Sequence, residues 1–183
     1  NTVDPETGLT LGEVLEQAQE QDLDLMEMEE GETASFIATY ASTTTDVSVT
    51  RGSCYYYSDY DLGSYLTYKY TVSFNNVTAT AYCIQPSKSS PGDGVFKITR
   101  LGDGKKLAKV CYYGTKASGV NGFFKTEHPD FSAGKQFVIT HLAVSYASGS
   151  DDAFSGANAN GQALAMELYN YCMAQPEIPD VAM

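Results

Sequence analysis

The stretch Ala81-Tyr82-Cys83-Ile84-Gln85-Pro86 decides our interpretation of the fold. A cysteine that is flanked by aromatic and branched apolar residues and closed by a proline is typical of the end of a β-strand. A second stretch, residues 137–146 (FVITHLAVSY), is apolar except for Thr140, His141 and Ser145. We expect its histidine to be mostly buried. The two stretches together predict one site, with the thiol of Cys83 pointing into a cleft.

Alternation of apolar and polar residues predicts an antiparallel β region in the first half of the chain. It predicts strands over residues 36–49, 65–74, 77–83 and 95–98, preceded in one place by the run Cys54-Tyr55-Tyr56-Tyr57. Asn75-Asn76 supplies the turn between the second and third strands. This arrangement places Cys83 at the end of a hairpin.

Helical patterns dominate the second half. We predict helices over residues 105–113, 133–147 and 159–174, the second capped by Ser132 and the third stopped by Pro176. The intervening residues 114–130 contain glycines and a proline, so we predict an irregular stretch that serves as a lid or binding loop. The fold class is therefore α+β, a single domain with an antiparallel β-sheet or sandwich portion followed by a helical portion.

Composition and charge limit the partners. The chain has 183 residues, 43% hydrophobic, and a net charge of -12, which fits one domain with a sizeable core. Residues 1–33 are acidic without a basic side chain, so we predict an acidic leader with at most a short helix near residues 11–18, and a domain over residues 34–183. Nucleic acid and anionic membranes are excluded as partners by charge repulsion. We expect any secretion signal or wall anchor to lie outside these residues.

Cysteine spacing argues against a metal site. The four cysteines, Cys54, Cys83, Cys111 and Cys172, show no C-x-x-C spacing, so we expect no zinc, and no sequence motif predicts a cofactor. Cys111 and Cys172 have aromatic or apolar neighbours and are predicted to be core residues. The 14 tyrosines favour either packing on strands or an exposed binding face.

These motifs resemble the thioester domains at the tips of Gram-positive surface adhesins and pilins. That family has a cysteine in a Y-C-[IV]-x-P type motif and a glutamine in a later T-Q-x-A motif. Cys83 stands at the cysteine position, Thr140-His141-Leu142-Ala143 matches the second motif, and Cys111-Tyr112-Tyr113-Gly114 is similar to a Y-Y-G stretch of the family. The resemblance runs from about Val49 to about Pro179.

The resemblance implies an internal thioester between the cysteine and the glutamine, but His141 occupies the glutamine position. An imidazole has no carbonyl to acylate a sulfur, so this pair cannot form the thioester. The resemblance then implies an extracellular, wall-anchored adhesin domain that binds a host or matrix protein and adjoins other domains of a larger protein. It implies a site at Cys83 and His141, with binding residues Tyr82, Gln85, Thr140, Ala143, Tyr112 and Tyr113.

Two alternatives remain open. Cys83 and His141 could form a thiol–imidazole dyad for acyl transfer or hydrolysis, with His141 as the base. An orienting partner for that dyad would come from Asp130, Asp151, Asp152 or Asn158. Alternatively, a thioester forms with another carbonyl donor: Gln85, Gln136 or Gln162. We favour the binding domain over the enzyme.

Overall fold

The structure is a computed structural model that describes residues 45–74, 77–98, 105–116 and 122–178. The predicted leader over residues 1–33, the helix predicted near residues 11–18 and the turn Asn75-Asn76 lie outside the described residues. The same holds for residues 36–44 of the first predicted strand.

Four antiparallel strands lie within the described residues: Thr45–Tyr56 (β1), Leu66–Phe74 (β2), Val77–Ala81 (β3) and Gly94–Ile98 (β4). They form one sheet with the order β3-β2-β1-β4. A short 3-10 helix, Tyr57–Tyr60, begins the connection from β1 to β2.

The sheet differs from the prediction in one respect. The sequence predicted a strand ending at Val49 and a separate tyrosine run from Cys54, but β1 is one strand of 12 residues. The pairing of β1 with β2 shifts register between Arg51 and Cys54. This bulge accommodates one extra residue near Gly52, so the strand continues through a glycine that sequence patterns treat as a break.

Four α-helices follow these strands in the part of the chain that the structure describes. Their bounds are Lys105–Cys111 for α1, Phe123–Thr126 for α2, Ala133–Ala147 for α3 and Ala159–Ala174 for α4. A π-helical turn, Tyr112–Lys116, continues α1. The side chain of Ser132 accepts a hydrogen bond from the Lys135 amide at 3.3 Å, and that of Asn158 accepts one from the Gly161 amide at 2.8 Å. Both helices therefore begin at capped residues, as predicted for Ser132.

The prediction of an irregular stretch over residues 114–130 is wrong in part. Its first residues belong to the π-helical turn, and Phe123–Thr126 form α2. Both phenylalanines of α2 are buried, and their rings meet edge to face at 5.1 Å. Packing of these two rings stabilises a helix that is too short to be stable by itself.

Two apolar clusters fill the interior of the described residues. The larger cluster lies among the helices, and α3 is buried without interruption from Phe137 to Ser145, as predicted for a helix covered on all sides. The smaller cluster lies on the sheet and contains Cys83 together with residues such as Val47 and Tyr70. Among the described helices, none combines the length and the apolar character that crossing a bilayer requires.

Candidate functional site

Cys83 lies two residues beyond the end of β3, where the chain leaves the sheet. Its side chain is 6% exposed and packs in the sheet cluster, whereas the preceding Tyr82 packs in the helical cluster. The backbone carbonyl of Cys83 accepts a hydrogen bond from the Ser145 hydroxyl at 3.2 Å. Since Ser145 belongs to α3, this bond joins the end of the hairpin to the central helix.

His141 lies one helical turn before Ser145, on the same side of α3. Its side chain is 1% exposed, and neither ring nitrogen meets the geometry of a hydrogen bond with any described residue, although the Cys83 backbone lies close enough to favour the imidazolium. Burial lowers the pKa of His141 from 6.5 to about 4, and the backbone of Cys83 opposes part of that decrease. His141 is therefore neutral at pH 7 and lies beside the backbone of Cys83.

Tyr57 is the residue that the sequence reasoning missed. It is fully buried, and its ring meets the His141 ring edge to face with 6.2 Å between centroids. Its hydroxyl has no hydrogen-bond partner within the described chain. Burial raises the pKa of Tyr57, and negative charge on Cys83 and then on Tyr65 would raise it further. The tyrosine run from residue 55 to residue 57 was the available signal, but it did not show which ring turns inward.

The thiol of Cys83 is in its neutral form at pH 7. Burial raises its pKa above 9.0, the backbone of Gln85 opposes this increase, and the negative charge of Asp152 adds to it. The Cys83 sulfur donates a long hydrogen bond to the Gln85 carbonyl at 3.5 Å. Neither group is in the ionised form of the thiolate–imidazolium pair that activates cysteine nucleophiles.

Asp152 contacts the chain segment that follows Cys83. Its carboxylate accepts a hydrogen bond from the Ser87 amide at 2.9 Å, and it also accepts bonds from the Ser87 and Ser150 hydroxyls. Burial works to raise the pKa of Asp152, but the bonds from Ser150 and Ser87 outweigh it and hold the pKa below 3.8. Asp152 is therefore ionised at neutral pH and bonded to the Cys83 segment.

The proposed orienting partners of a dyad have other roles in the structure. Asp152 binds the two serines, Asn158 caps α4, and Asp151 and Asp130 are exposed. Because the ring nitrogens of His141 are unpartnered within the described residues, the structure shows no orienting hydrogen bond there.

The alternative carbonyl donors lie in three different settings. The Gln136 side chain donates to the Phe131 carbonyl at 2.7 Å, and the Gln162 side chain donates to the Ala157 carbonyl at 3.3 Å. Each is thus bound near the beginning of its own helix. Gln85 lies two residues after Cys83 in the chain, and its carboxamide oxygen is buried without a partner among the described residues.

The remaining predicted site residues are distributed over the helical core. Tyr82 stacks on Phe137 at 5.1 Å between centroids, and the Thr140 hydroxyl donates to the Gln136 carbonyl at 2.8 Å. Ala143 is fully buried. The Tyr113 hydroxyl donates to the Pro176 carbonyl at 3.1 Å, and Tyr112 packs edge to face on Tyr113 at 4.8 Å. Their binding roles stay predictions.

The next features are the remaining cysteines and the possible metal ligands. None of the four cysteines forms a disulfide. Burial raises the pKa of Cys111 and of Cys172 to about 12, and both pack with the helical core, in agreement with the prediction for these two. Within the described ranges, no group of three or more His, Cys, Asp or Glu side chains is placed to hold a metal ion.

Comparison with known protein families identifies this fold and site. A family model described as "Thioester domain" matches residues 46–179. That range contains β1 from its second residue onward, the other three described strands, the four described helices and the Cys83 site. A search of curated proteins and a search of solved structures each found no match.

Proposed function

Because the chain belongs to the thioester-domain family, we propose that it is the tip domain of a Gram-positive surface adhesin that binds its ligand without a Cys83–residue 141 thioester. The domain works outside the cell, on a wall-anchored protein with further domains, and its ligand is a host or matrix protein. The observation that carries this proposal is the imidazole of His141, buried beside Cys83 where the family places a carboxamide.

The ionisation of the pair supports binding over catalysis. A nucleophilic cysteine normally has a lowered pKa and a base held by a third group. Here the pKa of the Cys83 thiol is raised, and the pKa of His141 is lowered by burial to about 4. Exposed tyrosines support a recognition surface, since Tyr56 is 51% and Tyr65 is 42% exposed. Rigid aromatic rings of this kind contribute contact area at low entropic cost.

The test is the intact mass of the purified protein before and after treatment with methylamine, with Cys83→Ala as the control. We expect the mass that the sequence demands, unchanged by the amine. A mass lower by one ammonia that methylamine alters, and that the control lacks, would show a thioester formed with another donor such as Gln85. That result would make covalent attachment the function and would overturn the proposal.

A second measurement distinguishes a binding domain from an enzyme that uses a Cys83–His141 dyad. We expect the alkylation rate of Cys83, followed against pH, to show a thiol pKa above 9 that His141→Ala does not raise further. A lowered thiol pKa that rises in the variant would favour acyl-transfer or hydrolysis chemistry instead.

A further inference from the structure

The segment from Ile84 to Asp93, here called the Cys83 strap, connects the site to β4. It is held near its end by the Arg51 amide, which donates to the Asp93 carboxylate at 2.7 Å, and by the Tyr70 hydroxyl, which donates to the Pro91 carbonyl at 3.5 Å. Its beginning is held where Ser145 bonds the Cys83 carbonyl. The middle of the strap is held at Ser87, by Asp152.

Asp152 is oriented for this contact by its own turn. The Ser150 hydroxyl binds one carboxylate oxygen, and the other oxygen accepts both bonds from Ser87. Backbone bonds from the Ala153 amide to Ser150 and from the Ser155 amide to Asp152 close the turn around it. The carboxylate is therefore fixed before it meets Ser87, which lowers the entropic cost of the contact.

The contact between Asp152 and Ser87 lies close enough to the Cys83 thiol to influence the pKa of that thiol. The negative charge of Asp152 contributes to the raised pKa of Cys83, so the carboxylate is within electrostatic reach of the sulfur. Ser87 and its neighbours Lys88 and Ser89 are exposed, whereas Cys83, four residues earlier, is 6% exposed. The strap contacts the thiol at its second residue, where the Gln85 carbonyl accepts the bond from the Cys83 sulfur at 3.5 Å, while its middle residues face solvent.

We propose that Asp152 is a latch that holds the Cys83 strap closed and so controls the access of other molecules to the Cys83 thiol. The two segments that it joins are 65 residues apart in sequence, so the contact links the sheet side of the site to the connection between α3 and α4. Releasing the latch lets the strap open while both cores stay folded. The inference rests on the proposed function in one respect: Cys83 must carry a free thiol, which the intact mass tests separately.

The experiment measures alkylation of Cys83 by iodoacetamide in the full chain, read peptide by peptide so that Cys172 serves as an internal reference. The variants are Asp152→Ala and Ser87→Ala, and the matched control is Asp151→Ala, which removes an equal charge from the neighbouring exposed residue. We expect Asp152→Ala to accelerate Cys83 labelling about fivefold, as loss of a typical hydrogen-bonded contact implies. Ser87→Ala should accelerate Cys83 labelling less, because the hydrogen bond from the backbone amide of residue 87 to Asp152 remains.

Removing the charge of Asp152 also affects the thiol pKa, and a pH series separates the two effects. A change in access multiplies the rate at every pH, whereas a change in pKa moves the midpoint of the rate profile. Ser87→Ala keeps the charge and thus reports access alone. The latch is refuted if Ser87→Ala leaves the rate unchanged, if Asp152→Ala only moves the midpoint, or if Cys172 is labelled faster in parallel with Cys83.

Discussion

The lowered pKa of His141 makes the stability of the domain depend on pH in a defined window. The folded protein holds the pKa of His141 at about 4, against 6.5 for an unburied histidine, because burial disfavours the imidazolium. The unfolded chain therefore binds more protons at this residue between pH 6.5 and pH 4. The unfolding free energy therefore carries no loss from His141 above pH 6.5, and it decreases as the pH falls toward 4.

The size of the effect follows from the two pKa values. Their difference of about 2.5, at about 1.4 kcal/mol for each pKa unit, amounts to roughly 3 kcal/mol of unfolding free energy lost between pH 7 and pH 4. His141 is 1% exposed, so solvent screening does not reduce this loss of unfolding free energy. Asp152 adds its own loss as the pH falls through 3.8, its unfolded pKa, toward its lower folded pKa.

The assay is urea unfolding at several pH values for the natural protein and for His141→Leu. We expect the variant to lose the pH dependence between 7 and 4, because leucine cannot take up a proton. At pH 7 the variant should be as stable as the natural protein or more stable, since it removes two buried nitrogens that have no partners among the described residues.

The control is His128→Gln, which changes the only other histidine of the chain. His128 lies 3.2 Å from Glu167 at a partly exposed position, so the steep loss of stability should persist in this variant. Equal pH dependence of the natural protein and His141→Leu would refute the reasoning. It would mean that His141 reaches a partner or solvent when protonated.

Three further predictions use matched pairs. Tyr57→Phe should leave the unfolding free energy unchanged or raise it by up to about 1 kcal/mol, because the Tyr57 hydroxyl has no partner among the described residues. Tyr113→Phe should lower it by about 1 kcal/mol, because the Tyr113 hydroxyl loses its bond to the Pro176 carbonyl, and equal losses in thermal unfolding would contradict this pair of expectations. Gly161→Ala should lower the unfolding free energy by about 2 kcal/mol or more, since its Cβ would lie 2.4 Å from the Leu62 carbonyl oxygen. Gly92→Ala should leave the unfolding free energy nearly unchanged, because the space around that position is open. Similar melting temperatures for the two variants would argue against the contact at Gly161. His141→Gln should give a protein one ammonia lighter than its own sequence, and the same change with Cys83→Ala should not; a full mass would show that residue 141 does not face the sulfur.

Local signals predicted much of the fold. The helix α3 carries a capping serine and a long apolar run, and α4 ends before a proline, so both were predictable from neighbouring residues. The hairpin of β2 and β3 followed from alternation. The continuation of β1 past Gly52 was not predictable, because the bulge depends on pairing with β2.

The site was predictable only in part, because the residues that surround it are far apart in the sequence. Motif positions pointed to Cys83 and His141, yet the residues around them come from segments far apart in sequence. Ser87 and Asp152 are separated by 65 positions, and Tyr57 meets His141 through ring packing alone. No periodicity or spacing within one segment encodes such contacts, since they exist only once the sheet and the helices have packed together.

The division of Tyr82 and Cys83 between two apolar clusters has a mechanical consequence. Consecutive residues of the extended chain point in opposite directions, so the backbone between these two is anchored in both packing units at once. Force that pulls the sheet away from the helices is concentrated on this short piece of chain and on the hydrogen bond from Ser145. A covalent link at Cys83 would reinforce that seam against tension. With histidine at position 141, resistance to pulling there rests on packing and hydrogen bonds.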